Sequence, residues 1–225
     1  EKICAVAQKT GTVAAGDTAC GFGNTAMVLA EKKFIPRIIA AVNRVLTVPR
    51  SLVAYEQGAV GPGKDCGYEN VFLKAITGYP MSMEGKSAAC AHFSPVGNIA
   101  AAACDLWSNE SVQDVKLLSG RAPVVSMEQL VYDCRLMNRA RAMEQTSALQ
   151  QMLVSSDAPL DPQAYILSPV NAVRIARTAV KASSHFAATK ACGLEAVAIL
   201  REGVAAGEVS VPENETAYID SVEMM

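Results

Sequence analysis

The 225-residue sequence has no long apolar run, no block of like charge, no dense cysteine spacing and no low-complexity tract. Each absence excludes a class of protein. No stretch approaches the roughly 18 to 20 uninterrupted apolar residues of a membrane span, and no charged-then-apolar leader opens the chain, so neither membrane embedding nor export is expected. The formal charge is only -2, and no basic cluster is interleaved with aromatics. Nucleic acid is therefore not an expected partner. Seven cysteines, Cys4, Cys20, Cys66, Cys90, Cys104, Cys134 and Cys192, make an odd and scattered set, unlike a secreted disulfide scaffold. That usage predicts a reducing, cytoplasmic setting.

What is present is apolar substance: 51% hydrophobic residues against 19% charged, enough to bury a sizeable core. The length suits one large domain or a portion of a larger one. The chain begins at Glu1 and soon enters an apolar run, Val13-Ala14-Ala15, which predicts that a segment precedes it.

The first part alternates short apolar runs with helical patterns, the arrangement of βα units in a parallel sheet. Strands are predicted over 13–15, ending at Gly16 and Asp17, and over 52–55. Helices are predicted over 26–33 with Asn24 and Thr25 as caps, over 36–46 with its proline in the first turn, and over 70–76. Gly58, Gly61, Pro62 and Gly63 mark an irregular loop that presents Cys66. A third unit follows, with a strand over 81–83 or 88–91 and an Ala-rich helix over 96–107. From Ser126 the pattern becomes long amphipathic helices, opened by Ser126 and Gln129 as a capping box. Further helices are expected over 161–182 and 185–202. The break at 120–123 divides the chain into an α/β portion, 1–122, and a helical section, 123–225. Three or so βα units cannot close a barrel and leave an open strand edge, so another polypeptide or the rest of a longer chain should cover it.

Chemistry concentrates where the first two strands end. Gly16-Asp17-Thr18-Ala19-Cys20 follows one and Gly61-Pro62-Gly63-Lys64-Asp65-Cys66 the next, so both cysteines are expected on loops at the C-terminal rim of the sheet, where parallel α/β enzymes place their sites. Their spacing is not that of a zinc finger, and on spacing alone two small buried residues are the simpler reading. Gly61-x-Gly63-Lys64 lacks the spacing of a phosphate-binding loop. Cys90, Cys104, Cys134 and Cys192, together with Trp107 and most methionines, are expected in the core. His92, near Cys90, reads as a hydrogen-bonded structural residue.

The stretch from Pro49 to Asn70, PRSLVAYEQGAVGPGKDCGYEN, resembles the signature of the zinc-containing subunit of methanol:corrinoid methyltransferases. So do Gly16 to Cys20, KAITGYPMSMEGK from Lys74, Cys90-Ala91-His92, Trp107-Ser108-Asn109-Glu110-Ser111-Val112 and Asp161-Pro162-Gln163-Ala164. The resemblance spans most of the chain, and its cover corresponds to the C-terminal half of such a subunit. It implies part of a (β/α)8 TIM-type barrel followed by C-terminal helices, with a zinc ion at the rim held by one glutamate and two cysteines. The cysteines carry over to Cys20 and Cys66. The glutamate is expected upstream of this chain, and neither Glu56 nor Glu69 is assigned in its place.

The implied reaction moves the methyl group of methanol to cobalt(I) of a corrinoid carried by a partner protein. Methanol resists attack at carbon because hydroxide leaves poorly, and a Lewis acid with an open coordination position answers that difficulty. An acid must protonate the departing oxygen, and Asp17 and Asp65 are the nearest candidates in sequence. Asp17 can equally be a turn residue. A homo-oligomer is expected. Two alternatives remain: a non-catalytic scaffold that binds a corrinoid protein, and a zinc methyltransferase for another small methyl donor, such as a methoxylated compound or a methylamine.

Overall fold

The computed structural model describes residues 1–223 apart from 16, 19–20, 62, 66–68, 80, 84–94, 104 and 107–126. Four short strands, β1 (Asp17–Thr18), β2 (Gly63–Asp65), β3 (Met81–Met83) and β4 (Asp105–Leu106), form one sheet in sequence order, every pair parallel. Parallel neighbours need crossovers, and helices supply them. Between β1 and β2 run α2 (Gly21–Glu31), α3 (Arg37–Leu46) and α4 (Val48–Glu56). Helix α5 (Asn70–Thr77) links β2 to β3, and α6 (Gly97–Ala103) precedes β4. Helix α1 (Lys2–Thr10) comes before the sheet. After it come α7 (Met127–Ala142), α8 (Thr146–Asp157), α9 (Pro162–Leu167), α10 (Pro169–Lys181), α11 (His185–Ala206) and α12 (Ala217–Glu223).

The α/β class and the helices over 36–46 and 70–76 agree with expectation; of the two places offered for the third strand, 81–83 is a strand and 88–91 lies outside the described residues. Several boundaries differ from expectation. Residues 13–15 are not a strand: Val13 is 64% exposed, and pairing begins at Asp17. The segment 52–55 is helical, because Pro49 opens α4 and the buried Val48, Ser51 and Tyr55 recur at helical spacing. Helix α2 starts at Gly21, so Asn24 and Thr25 lie inside it rather than capping it. The helix expected over 96–107 stops at Ala103 and gives way to β4. One helix expected over 161–182 is two, because Pro169 donates no N–H and holds Ser168 extended at ψ 145. The 120–123 boundary, Ser126, Trp107, His92, Cys90 and Cys104 lie outside the described residues.

One main apolar cluster runs from Met27 and Ile38 through Phe72, Leu73, Met81 and Ile99 to Ile166, Ile175, Ile199 and Ile219. It unites both parts of the chain: α10 packs on α5 and α11, and α11 packs on α3. The amphipathic patterns explain this, since each of these helices turns an apolar stripe inward. The segment Arg37–Glu56 is apolar and long enough to cross a membrane by length and composition alone. Here 61% of its most apolar window is buried inside the protein, as in a core helix.

Two helix ends carry a local strain. Lys33 after α2 and Glu144 after α7 have φ of 62° and 56°, the left-handed region that glycine occupies at little cost. Lys33→Gly and Glu144→Gly are each expected to stabilise the protein by about 0.5–1 kcal/mol. Urea unfolding of each variant checks this.

Candidate active site at the C-terminal edge of the sheet

The sheet register sets what can meet at its C-terminal edge. Asp17 is opposite Lys64 and Thr18 opposite Asp65, while Lys64 and Asp65 are in turn opposite Ser82 and Met83. Gly61 makes the entry to this pairing possible. Its N–H donates to the Ala14 carbonyl at 2.9 Å, and a Cβ there would stand 2.8 Å from that oxygen. Only glycine fits so close an approach.

Cys66 follows Asp65 by one peptide bond and Cys20 follows Thr18 by two, and both cysteines lie outside the described residues. The strands they follow are adjacent and parallel, and neighbouring strands run about 4.8 Å apart. The strand expected before Cys66 was misplaced at 52–55, yet a strand does end directly before it. Asp17 and Asp65 belong to the strands, one register step apart rather than opposite each other. Among the described residues, no three His, Cys, Asp or Glu side chains cluster closely enough to hold a metal ion.

The glutamates left unassigned have other partners. Glu56 is exposed and meets His185 Nε2 at 2.8 Å, tying α4 to α11. Glu69, at the start of α5, is wholly buried, and its Oε1 accepts from Ser51 Oγ at 3.3 Å. Its Oε2 is buried without a hydrogen-bond partner. Sequence reasoning passed over this buried carboxylate, because only the fold reveals that α4 covers it.

A second buried polar group involves the Asp161-Pro162-Gln163-Ala164 motif. Asp161 caps α9 by accepting from Gln163 N–H at 2.7 Å, Arg37 Nη1 approaches its Oδ2 at 3.5 Å, and Arg44 Nη2 donates to Gln163 Oε1 at 2.8 Å. Burial pushes the Asp161 carboxyl above its ordinary range, against the lowering influence of the Gln163 N–H and the two guanidinium groups. This motif joins α9 to α3, so its part is in packing. Of the remaining cysteines, Cys192 is a core residue as expected, its thiol pushed up to about 11 chiefly by burial. Cys4 is also buried, whereas Cys134 is exposed, contrary to expectation, because its stretch of α7 lies at the surface. Met81 is buried, but Met143 and Met152 are exposed rather than core fillers.

Comparison with known proteins places this architecture. The family described as methanol-cobalamin methyltransferase B subunit matches residues 1–225. A methanol–corrinoid protein co-methyltransferase from Methanosarcina barkeri (strain Fusaro) is 45% identical over 218 residues, 95% of this chain and 47% of that protein. The crystal structure of the methanol:cobalamin methyltransferase complex MtaBC from Methanosarcina barkeri contains a chain that superposes with a TM-score of 0.86 at 41% identity. The match covers 99% of this chain and 49% of that one. The chain thus spans about half the length of the relatives it matches. On this evidence the chain belongs to the methanol-cobalamin methyltransferase B subunit family.

Proposed function

We propose that this chain supplies the two-cysteine part of a zinc site in a methyltransferase that moves the methyl group of methanol to cobalt(I) of a corrinoid carried by a partner protein. The observation that carries the reading is the parallel pairing of β1 with β2, whose adjacent C-terminal ends continue to Cys20 and Cys66. Two thiolates starting from strands about 4.8 Å apart can reach one ion at the usual zinc–sulfur distance of about 2.3 Å. Zinc therefore fits the donor set. The four parallel strands support a reading as half of a (β/α)8 barrel, with the other strands and the glutamate ligand on a preceding segment.

Zinc, when bound there, supplies the Lewis acidity that eases departure of the methanol oxygen. Cys20 and Cys66, as thiolates, hold two of its coordination positions. The rim must admit methanol and leave the methyl carbon open to attack by the partner's cobalt(I), so the corrinoid protein docks on the same C-terminal edge. Asp17 and Asp65, in the two strands that end at this edge, are the candidate proton donors to the departing oxygen. The names of the relatives favour methanol over other methyl donors and a catalytic role over a scaffold. The setting is cytoplasmic, and the exposed Val170, Val180 and Phe186 offer apolar surface to a homo-oligomer.

Chelation tests the reading. The full-length protein should convert cob(I)alamin to methylcobalamin only when methanol is present, lose that activity on dialysis against a chelator, and regain it with zinc. Undiminished turnover after complete metal removal would overturn it.

A further inference from the structure

We propose that residues 212–223 form a latch: through Glu215 they supply the cap that α3 lacks, and they open and close as one unit with the first turn of that helix. The proposal is independent of the zinc-site reading and uses none of its residues. Helix α3 starts at Arg37 after Pro36, whose side chain has no oxygen with which to cap it. The first N–H groups of such a helix have no acceptor within it. Here the acceptor comes from far along the chain: Glu215 Oε2 accepts from the N–H of Arg37 at 2.6 Å and of Ile38 at 3.4 Å. A carboxylate suits that place, because a helix N-terminus carries partial positive charge. The Arg37 side chain meanwhile approaches Asp161 Oδ2 at 3.5 Å, so the first residue of α3 is held from two other parts of the chain.

The latch is attached at few points. A single 3-10 turn, Glu213–Glu215, carries the capping carboxylate, and the seven-residue α12 follows it. Among the described residues of 212–223, Ile219 alone is buried in the main apolar cluster, with Val222 partly buried against it. Helix α11, by contrast, gives that cluster Cys192, Ala196, Val197, Ile199 and Leu200. Arg201 and Asp220 add an ion pair at 2.9 Å, but both side chains are exposed, and such pairs contribute little. Packing against the α2–α3 corner is incomplete: a cavity of about 320 Å³ lies there, lined by Lys33, Phe34, Arg37, Asn214 and Tyr218 among others. A short element with one buried anchor and a gap beside it is where local opening costs least. When it lifts, Glu215 leaves α3 with it. Two stretches distant in sequence then lose their order together, while α10 and α11 keep theirs.

Backbone amide exchange on the full-length protein, read by mass spectrometry on peptides covering 34–41, 185–206 and 212–223, tests the latch in wild type, Glu215→Ala and Ile219→Ala. In wild type the 212–223 peptide should exchange faster than the α11 peptide, as a unit that opens without global unfolding does. Glu215→Ala should speed exchange in both 34–41 and 212–223 by about 2–30-fold, the equilibrium effect of losing a helix cap, and leave 185–206 unchanged. Ile219→Ala leaves the capping carboxylate intact and removes the apolar anchor instead. It should nevertheless speed 34–41 and 212–223 by similar factors, which loss of a cap alone would not do. Should Glu215→Ala not fold, Ile219→Ala still decides. The proposal is overturned if Glu215→Ala affects 34–41 but not 212–223, if Ile219→Ala opens 212–223 while 34–41 keeps its wild-type exchange, or if 212–223 exchanges in wild type only as slowly as α11.

Discussion

Cys66→Ser in the full-length protein is expected to lower methanol-dependent methylation of cob(I)alamin by about 10^2 to 10^4-fold, since Lewis-acid stabilisation of a leaving oxygen is worth several kcal/mol. Cys20→Ser should have an effect of the same order. The two effects should not add, because losing either thiolate empties one site. The fold should survive both changes, because serine has nearly the size and shape of cysteine. Unfolding temperatures of the metal-free variants should therefore match that of the metal-free parent. A rate within a factor of about three of wild type for either variant would remove that cysteine from the site, since the expected loss is far larger.

Asp161→Ala is the substitution expected to cost most stability among the buried polar residues. It removes the α9 cap and the partner of Arg37, and it leaves the buried Gln163 N–H without its acceptor. Loss of the cap and the orphaning of the buried Gln163 N–H are the same lost hydrogen bond, so a loss of about 1–3 kcal/mol is expected. Asp161→Asn keeps an oxygen at the cap and should cost less.

The pH dependence of that second variant has a fixed sign. Burial raises the folded-state pKa of Asp161 above its ordinary value of 3.8, so the folded protein binds the proton more tightly than the unfolded chain. The stabilising contribution is full below 3.8 and is lost as pH rises through the folded-state value. Wild type should therefore lose stability relative to Asp161→Asn as pH rises from 3.8 through the raised folded-state value. Glu31 shifts the same way, first by burial, with the Arg37 guanidinium opposing and the Asp161 charge adding to the rise. Paired unfolding curves of the two proteins between these limits measure the effect. A gap that widened in favour of wild type with rising pH would contradict the assigned direction.

Most helices were legible in the sequence because their signals are local; α1 was not expected and α4 was read as a strand. Pro36, Ser184 and Gly207 bracket α3 and α11, and the apolar stripes repeat at helical spacing. Apart from β3, expected as one of two alternatives, the strands were not legible, for a physical reason. They are two or three residues long and carry Asp17, Lys64, Asp65, Ser82 and Asp105, so neither alternation nor an apolar run marks them. The apolar run over 52–55 looked more like a strand than any true strand does, and it became helix because Pro49 and the buried face of α4 decided otherwise. Cys20 and Cys66 were expected on loops after two successive strands placed at 13–15 and 52–55; both strands were misplaced, β1 and β2 end just before the cysteines instead, and the cysteines themselves lie outside the described residues. Ser51–Glu69 and the Asp161–Gln163–Arg44 group could not be read in advance. Burial of a charged side chain depends on which helices cover it, and no local pattern encodes that.

The central claim is that Cys20 and Cys66 hold one zinc ion together, and zinc K-edge X-ray absorption on the full-length protein tests it most directly. Two sulfur neighbours at about 2.3 Å are predicted for wild type, with one fewer in Cys20→Ser and in Cys66→Ser if zinc is retained at all. A zinc shell without sulfur, or a sulfur count unchanged in either variant, would contradict the account.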